Sequence, residues 1–174
     1  RRSAVNLHLV LLLGYSVLLV GLGKANELDR KCLAKVLTEA IKQLDQSHAI
    51  EVIIGLAELE VKDANLYRIV RDSVISVADA LYVYSETKSE VKKPQRPLKR
   101  LGLFISDRSQ LKSAQKALRH GQGIAKGMTL TKNLANLPGN ICTPTYLADQ
   151  ARKLGRKSTK LKVQILDEKQ MEKL

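Results

Sequence analysis

Three histidines, His8, His48 and His120, and two cysteines, Cys32 and Cys142, are the side chains of this 174-residue sequence best suited to ligate a metal or attack a carbonyl. Their spacing brings none of them together. A zinc centre needs ligands a few residues apart on a turn or a helix face, as in HExxH or CxxC, and neither pattern occurs. No GxSxG elbow presents a serine, and Asp107 beside Arg108 reads as the start of a helix, not as a working carboxylate. Gly21-Leu22-Gly23-Lys24 lies between an apolar run and a helix, where a phosphate loop would sit. Asn26 occupies the place of the third glycine in GxGxxG and no GxxxxGK[ST] exists, so a plain tight turn is expected and no nucleotide site. These residues alone predict no catalytic residue and no metal ligand.

Charge offers a second kind of chemistry. Thirty Lys and Arg against 17 Asp and Glu give a formal net charge of +13, which favours phosphate backbones and anionic surfaces as partners. The excess is spread over three stretches, of which only the one holding Lys88, Lys92, Lys93, Arg96, Lys99 and Arg100 is compact enough to read as a nucleic-acid contact. A solvated surface is the expectation for each stretch taken singly. Aromatic residues make up 3% with no Trp, which disfavours base-stacking readers of single strands.

The elements that position these residues follow from apolar periodicity. The run from Leu7 to Val20, broken at Gly14-Tyr15-Ser16, predicts two strands joined by a turn. Arg1-Arg2 ahead of it resembles the start of a secretory signal, but the run is interrupted and no A-x-A-like site follows. It is also too short to span a bilayer, so no membrane partner is expected. Val17 to Val20 is continuous and apolar, as in a strand buried on both faces. Asn26 is the expected cap of a helix with Glu27 and Asp29 in its first turn and a stripe of Leu28, Cys32, Leu33, Val36, Leu37, Ala40, Ile41 and Leu44. Ala49 to Ile54 predicts the next strand, and strand, helix and strand together predict a right-handed βαβ unit. The pattern repeats with a helix capped by Asp63 and lined by Leu66, Ile69, Val70, Val74, Val77 and Leu81. A charged connector over Ser85–Pro97 is expected to be exposed, and Leu98 to Ile105 reads as a strand.

From Asp107, Leu111, Ala114, Leu118, Gly121, Ala125 and Met128 recur at helical spacing, so one long helix should run to Asn136 with another backbone close against its small residues. After Pro138-Gly139, Thr143 caps a helix that opens with Pro144 and runs through Lys153. Leu161 to Leu166 predicts a strand, and Asp167 to Leu174 a helix. The absence of an initiator Met and the unpartnered final strand–helix pair lead to the expectation of a piece of a longer protein. Both cysteines, outside any metal or disulfide spacing, suit a reduced cytosolic compartment.

The stretch from Asn133 to Ala148, NLANLPGNICTPTYLA, resembles the NLPxNxxTPxYLA segment that opens the catalytic domain of leucyl (cytosol) aminopeptidases. Asn136, Leu137, Pro138, Asn140, Thr143, Pro144 and Tyr146 carry the match. The turn Val17–Lys24 and the strand Leu161–Leu166 fall in the family's order. The resemblance implies an α/β architecture: a macro-domain-like mixed sheet flanked by helices, a long linking helix, and an incomplete start of the α/β catalytic domain. The expected boundaries are 1–106, 107–136 and 137–174.

It also implies a cytoplasmic, homo-hexameric parent assembled through its catalytic domain, releasing N-terminal residues, preferably Leu, from peptides with two divalent ions, Mn or Zn. The family's ligands come from VGKGITFDSGG-like and NTDAEGR segments, neither of which occurs here, so no ligand is carried over and the chain alone is expected to be inactive. The alternative is a DNA-binding accessory role, as some bacterial members have. ADP-ribose binding by analogy with macro domains rests on fold alone.

Overall fold

The computed structural model describes residues 7–12, 15–24, 27–55, 59–87 and 98–173. Strand β1 (Leu7–Leu12) and strand β2 (Tyr15–Val20) form an antiparallel hairpin in the register Leu7↔Val20 to Leu12↔Tyr15. Leu18 and Val20 are half-buried while Val17 and Leu19 are exposed, so this strand buries one face and not the two that its unbroken apolar run predicts. A hairpin leaves its second face uncovered unless another layer packs on it.

Helix α1 (Arg30–Asp45) is capped by Asp29, whose side chain accepts a hydrogen bond from the Cys32 amide. The expected cap, Asn26, lies outside the described residues, and Asp29, expected in the first turn, is itself the cap. Asp29 takes that position because its backbone is extended while its carboxylate reaches the amide three residues on. Leu33, Val36, Leu37, Ala40 and Ile41 form the buried stripe.

Strand β3 (Glu51–Gly55) pairs in parallel with strand β4 (Arg100–Phe104), from Glu51↔Arg100 to Gly55↔Phe104. Helix α2 (Leu66–Ala80) makes the crossover between them. This is the one βαβ unit among the described residues. Among the described residues β2 does not join that sheet, so the first expected βαβ unit is not closed: there are two two-stranded sheets. The cap of α2 is Asn65, not Asp63, because Asp63 turns the chain with a left-handed φ of 57°. Its carbonyl there accepts from Arg68. Asp is among the few L-residues that tolerate this conformation.

The core has two apolar clusters that share Leu103 of β4. In one, Leu28, Leu33, Leu37, Val61 and Ile69 are buried with Ile54 and Leu103 against them. In the other, Val70, Ala114 and Ala117 pack with Leu66, Tyr67, Leu103 and Ile105. Burial at 0–1% exposure, as for Ile41 and Val70, stabilises by about 1.5–3 kcal/mol per side chain.

Asp107 caps a single 3₁₀ turn at Arg108–Gln110, which runs directly into helix α3 (Leu111–Asn136). Its buried face is Ala114, Ala117, Gly121 and Ala125. The larger residues of the expected stripe, Leu111, Leu118 and Met128, are 46%, 37% and 36% exposed. Only small side chains sit at the contact, because the backbone of α2 comes too close for anything larger.

The chain divides into two compact units, residues 1–129 and 130–174. In the second, helix α4 (Pro144–Arg156) begins at the expected Thr143–Pro144 cap. Leu161–Leu166 forms no strand: it has no pairing partner among the described residues, and an isolated strand has no ladder to hold it. Val163 instead lies against Gly155 of α4. Helix α5 (Glu168–Met171) is one turn with a capping box between Asp167 and Gln170, shorter than the expected run to Leu174.

Candidate functional site

The signature stretch is built as a helix exit, a turn and a helix entry. Asn136 ends α3, and the amides of Ile141 and Cys142 both donate to the Pro138 carbonyl at 2.9 Å. Thr143 Oγ1 then accepts from the Tyr146 amide at 3.3 Å, with Pro144 at the first helical position, where its missing N–H costs nothing. Asn136, Pro138, Asn140, Thr143 and Pro144 are exposed, whereas Leu137 and Tyr146 are half-buried. These residues fix the geometry of a connector. None of them carries a charge.

The most tightly bonded ionic group is one that sequence spacing does not reveal. Asp72 on α2 receives Arg30 of α1 on Oδ2, with Nε at 2.7 Å and Nη2 at 2.6 Å, and Arg71 on Oδ1, with Nε at 2.9 Å and Nη2 at 2.8 Å. Arg30 and Asp72 are 42 positions apart, so no local pattern announces the pair. Beneath them, Ala34, Leu37, Ile69, Ser73 and Ser76 border a cleft of about 10 Å³, room for one water. Ser73 is fully buried and donates to the Ile69 carbonyl. Both carboxylate oxygens of Asp72 are engaged, so the cluster joins two helices and offers no free base.

Of the three histidines, His120 accepts or donates at Nδ1 to Tyr67 Oη at 2.5 Å, with the rings edge to face. His48 is exposed beyond α1 and His8 lies on β1. Cys32 and Cys142 are half-buried free thiols. Asp107 is held below the ordinary carboxylate range, first by the hydroxyl of Ser109, then by the Ser109 amide and the Gln110 side chain. That is a capping role. Of the basic cluster, Lys88, Lys92, Lys93 and Arg96 lie outside the described residues. Lys99 and Arg100 are exposed at the start of β4, with Arg100 3.6 Å from Glu51.

Among the described residues no group of three or more His, Cys, Asp or Glu side chains could hold a metal ion. A two-metal centre requires clustered carboxylates, and the residues described do not fit one. No helix among them is long and apolar enough to cross a membrane.

Fold and sites together define an α/β protein with a parallel βαβ unit, a long helix and a turn-capped helix beyond it. The model of the cytosol aminopeptidase family N-terminal domain matches residues 3–91, and that of the family's catalytic domain matches residues 129–174. The chain belongs to the cytosol aminopeptidase family. It is 46% identical over 158 residues to a probable cytosol aminopeptidase of Alkalilimnicola ehrlichii, covering 91% of this chain and 32% of that protein. Its identity to the probable cytosol aminopeptidase of Shewanella sediminis is 38%, over 96% of this chain and 33% of the relative. The chain thus spans about a third of the curated relatives it matches. Among solved structures, a tomato leucine aminopeptidase mutant aligns with TM-score 0.76 at 20% identity, over 97% of this chain and 33% of that one. The bottromycin maturation enzyme BotP in complex with Mn aligns with TM-score 0.70 at 21% identity, over 87% and 30%. At these identities the two structures speak for the α/β fold.

Proposed function

We propose that this chain contributes the N-terminal domain (residues 1–106), the linking helix (107–136) and the opening of the catalytic domain (137–174) to a cytoplasmic, metal-dependent aminopeptidase. That enzyme releases N-terminal residues, preferably Leu, from peptides, works as a homo-hexamer, and uses two divalent ions, Mn or Zn. Such ions polarise the scissile carbonyl and lower the pKa of bound water. The observation that carries the reading is the order of the two family matches, residues 3–91 and then 129–174, with the capped turn from Asn136 to Tyr146 inside the second. The described residues do not fit the metal centre, so no catalytic step is assigned to them. Their part is to fold, to position the connector and to hand the chain into the catalytic domain.

The test is a chimera in which this chain replaces the corresponding third of the Alkalilimnicola ehrlichii relative. The expected result is Mn- or Zn-dependent hydrolysis of Leu-amide by the chimera and none by the 174-residue chain alone. A chimera that folds and binds metal but cleaves no aminoacyl amide would refute the reading.

A further inference from the structure

Asp72 is shared by two arginines whose charge it only half offsets. Arg30 meets Oδ2 through Nε and Nη2, and Arg71 meets Oδ1 through the same pair of nitrogens. Each guanidinium therefore uses its Nε–Nη2 edge on the carboxylate, and with it two of its five N–H donors. The outer Nη1–Nη2 edge, the fork that matches the oxygens of an oxyanion, stays outside the contact. Among the described residues no second carboxylate pairs with either arginine, so two positive charges face one negative. The group is both held and reachable: side-chain exposure is 45% for Arg30, 27% for Arg71 and 19% for Asp72. Arg30 opens α1, while Arg71 and Asp72 stand in the second turn of α2, so two helices fix the points from which the forks extend. Exposed Arg68, one turn before Asp72 on α2, adds a third guanidinium nearby, anchored through Nη1 to the Asp63 carbonyl.

We propose that Arg30 and Arg71 form a binding site for a phosphate group, free or as a small monoester, with Asp72 positioning both guanidiniums. Span, valence and charge select that ligand. Both Nη2 atoms contact one carboxylate, so they lie no more than about 8 Å apart at hydrogen-bond lengths of about 2.8 Å. An oxyanion accepting bonds of that length on two of its oxygens bridges about the same gap. Two forks used side by side call for more acceptors than the two oxygens of a carboxylate, and a tetrahedral phosphate offers an edge to each. Its negative charge balances the excess cation that Asp72 leaves. The cleft beneath the trio, about 10 Å³, is too small for such an anion, which therefore sits on the rim, where the arginines are exposed. The site goes beyond the aminopeptidase reading, since it lies wholly on α1 and α2 and needs neither metal nor peptide.

The experiment follows the arginine side-chain N–H resonances of the full chain by NMR at neutral pH. Inorganic phosphate is raised to about 20 mM while sodium chloride is lowered to hold the ionic strength, with phenyl phosphate and acetate titrated in parallel. The Arg30 and Arg71 resonances should shift saturably, with a dissociation constant of about 1 mM. Matching saturation by phenyl phosphate extends the site to monoesters, and saturation by inorganic phosphate alone restricts it to the free ion; both outcomes support the site. Acetate should bind at least about tenfold more weakly. Arg30→Lys and Arg71→Lys keep the charge but lose the fork, and each should weaken phosphate binding by about tenfold or more. The control Arg156→Lys, on α4, should stay within about twofold of the parent. Far-UV circular dichroism confirms that each variant folds, and the titration of the parent stands without them. No saturable shift of Arg30 and Arg71 up to about 20 mM phosphate would overturn the proposal. So would acetate binding as tightly as phosphate, or folded Arg30→Lys and Arg71→Lys variants that bind as the parent does.

Discussion

Replacing Gly121 with alanine sets two known effects against each other at one position. Glycine in a helix interior costs about 0.8–1 kcal/mol relative to alanine, so the substitution should stabilise α3 wherever a Cβ has room. At Gly121 a Cβ would stand 2.8 Å from Val74 Cβ, 2.9 Å from the Arg71 carbonyl oxygen and 3.1 Å from Val74 Cγ1. None of these is the free end of a flexible side chain, so α2 and α3 must move apart, and overpacking of this kind costs about 1–3 kcal/mol. The net change for Gly121→Ala is then between nil and about 2 kcal/mol of destabilisation. Gly123→Ala, in the same helix with nothing within 4 Å, keeps the propensity gain alone and stabilises by about 1 kcal/mol. Propensity cancels in the comparison, so the gap of about 1–3 kcal/mol between the variants reports the steric contact itself. Thermal melts of the full chain followed by circular dichroism should separate them by about 2 °C or more, Gly123→Ala above the parent and Gly121→Ala level with it or below. If Gly121→Ala were as stabilising as Gly123→Ala, the close approach of α3 to α2 would be refuted.

Three further outcomes follow from named contacts. Asp72→Ala strips the shared carboxylate from Arg30 and Arg71 and should cost about 1–2 kcal/mol in urea unfolding, moderated by the partial exposure of both arginines. Asn65→Ala removes the cap of α2 and should cost about 1 kcal/mol, whereas Asp63→Ala leaves that cap intact. Asp107 is held below its usual range by its bonds to Ser109 and Gln110. The stability it lends the start of α3 is thus complete above the unfolded value of about 3.9 and fades as pH falls through the lower folded value. The Ser109 amide resonance should titrate below that unfolded value in the parent and show no such step in Asp107→Asn.

What the sequence disclosed was mostly what repeats along one element. The stripe of α1 from Leu33 to Ile41, the Thr143–Pro144 cap and the parallel pairing of β3 with β4 around α2 all have local or consecutive signals. Caps were displaced where two acceptors competed: Asn65 lies two residues beyond Asp63, and only the left-handed turn at Asp63 decides between them. The apolar run at Leu161–Leu166 reads as a strand because periodicity cannot tell whether a partner exists to complete the ladder. On α3, Leu118 and Met128 share the helical phase of the buried residues, but the narrow gap beside α2 admits only Ala and Gly. The contact between Arg30 and Asp72 spans two helices and had no signal at all, while the connector from Asn136 to Tyr146 was legible as a motif before its hydrogen bonds were seen.

The central claim, that these residues supply the front of a metal-dependent aminopeptidase and not its metal centre, is tested most directly by assaying Leu-amide hydrolysis with added Mn or Zn on two proteins side by side. One is the chain alone and the other is the chain carried in place of the matching third of the Alkalilimnicola ehrlichii relative. The account predicts turnover only in the second. Metal-dependent turnover by the chain alone, or a folded, metal-loaded chimera with none, would contradict it.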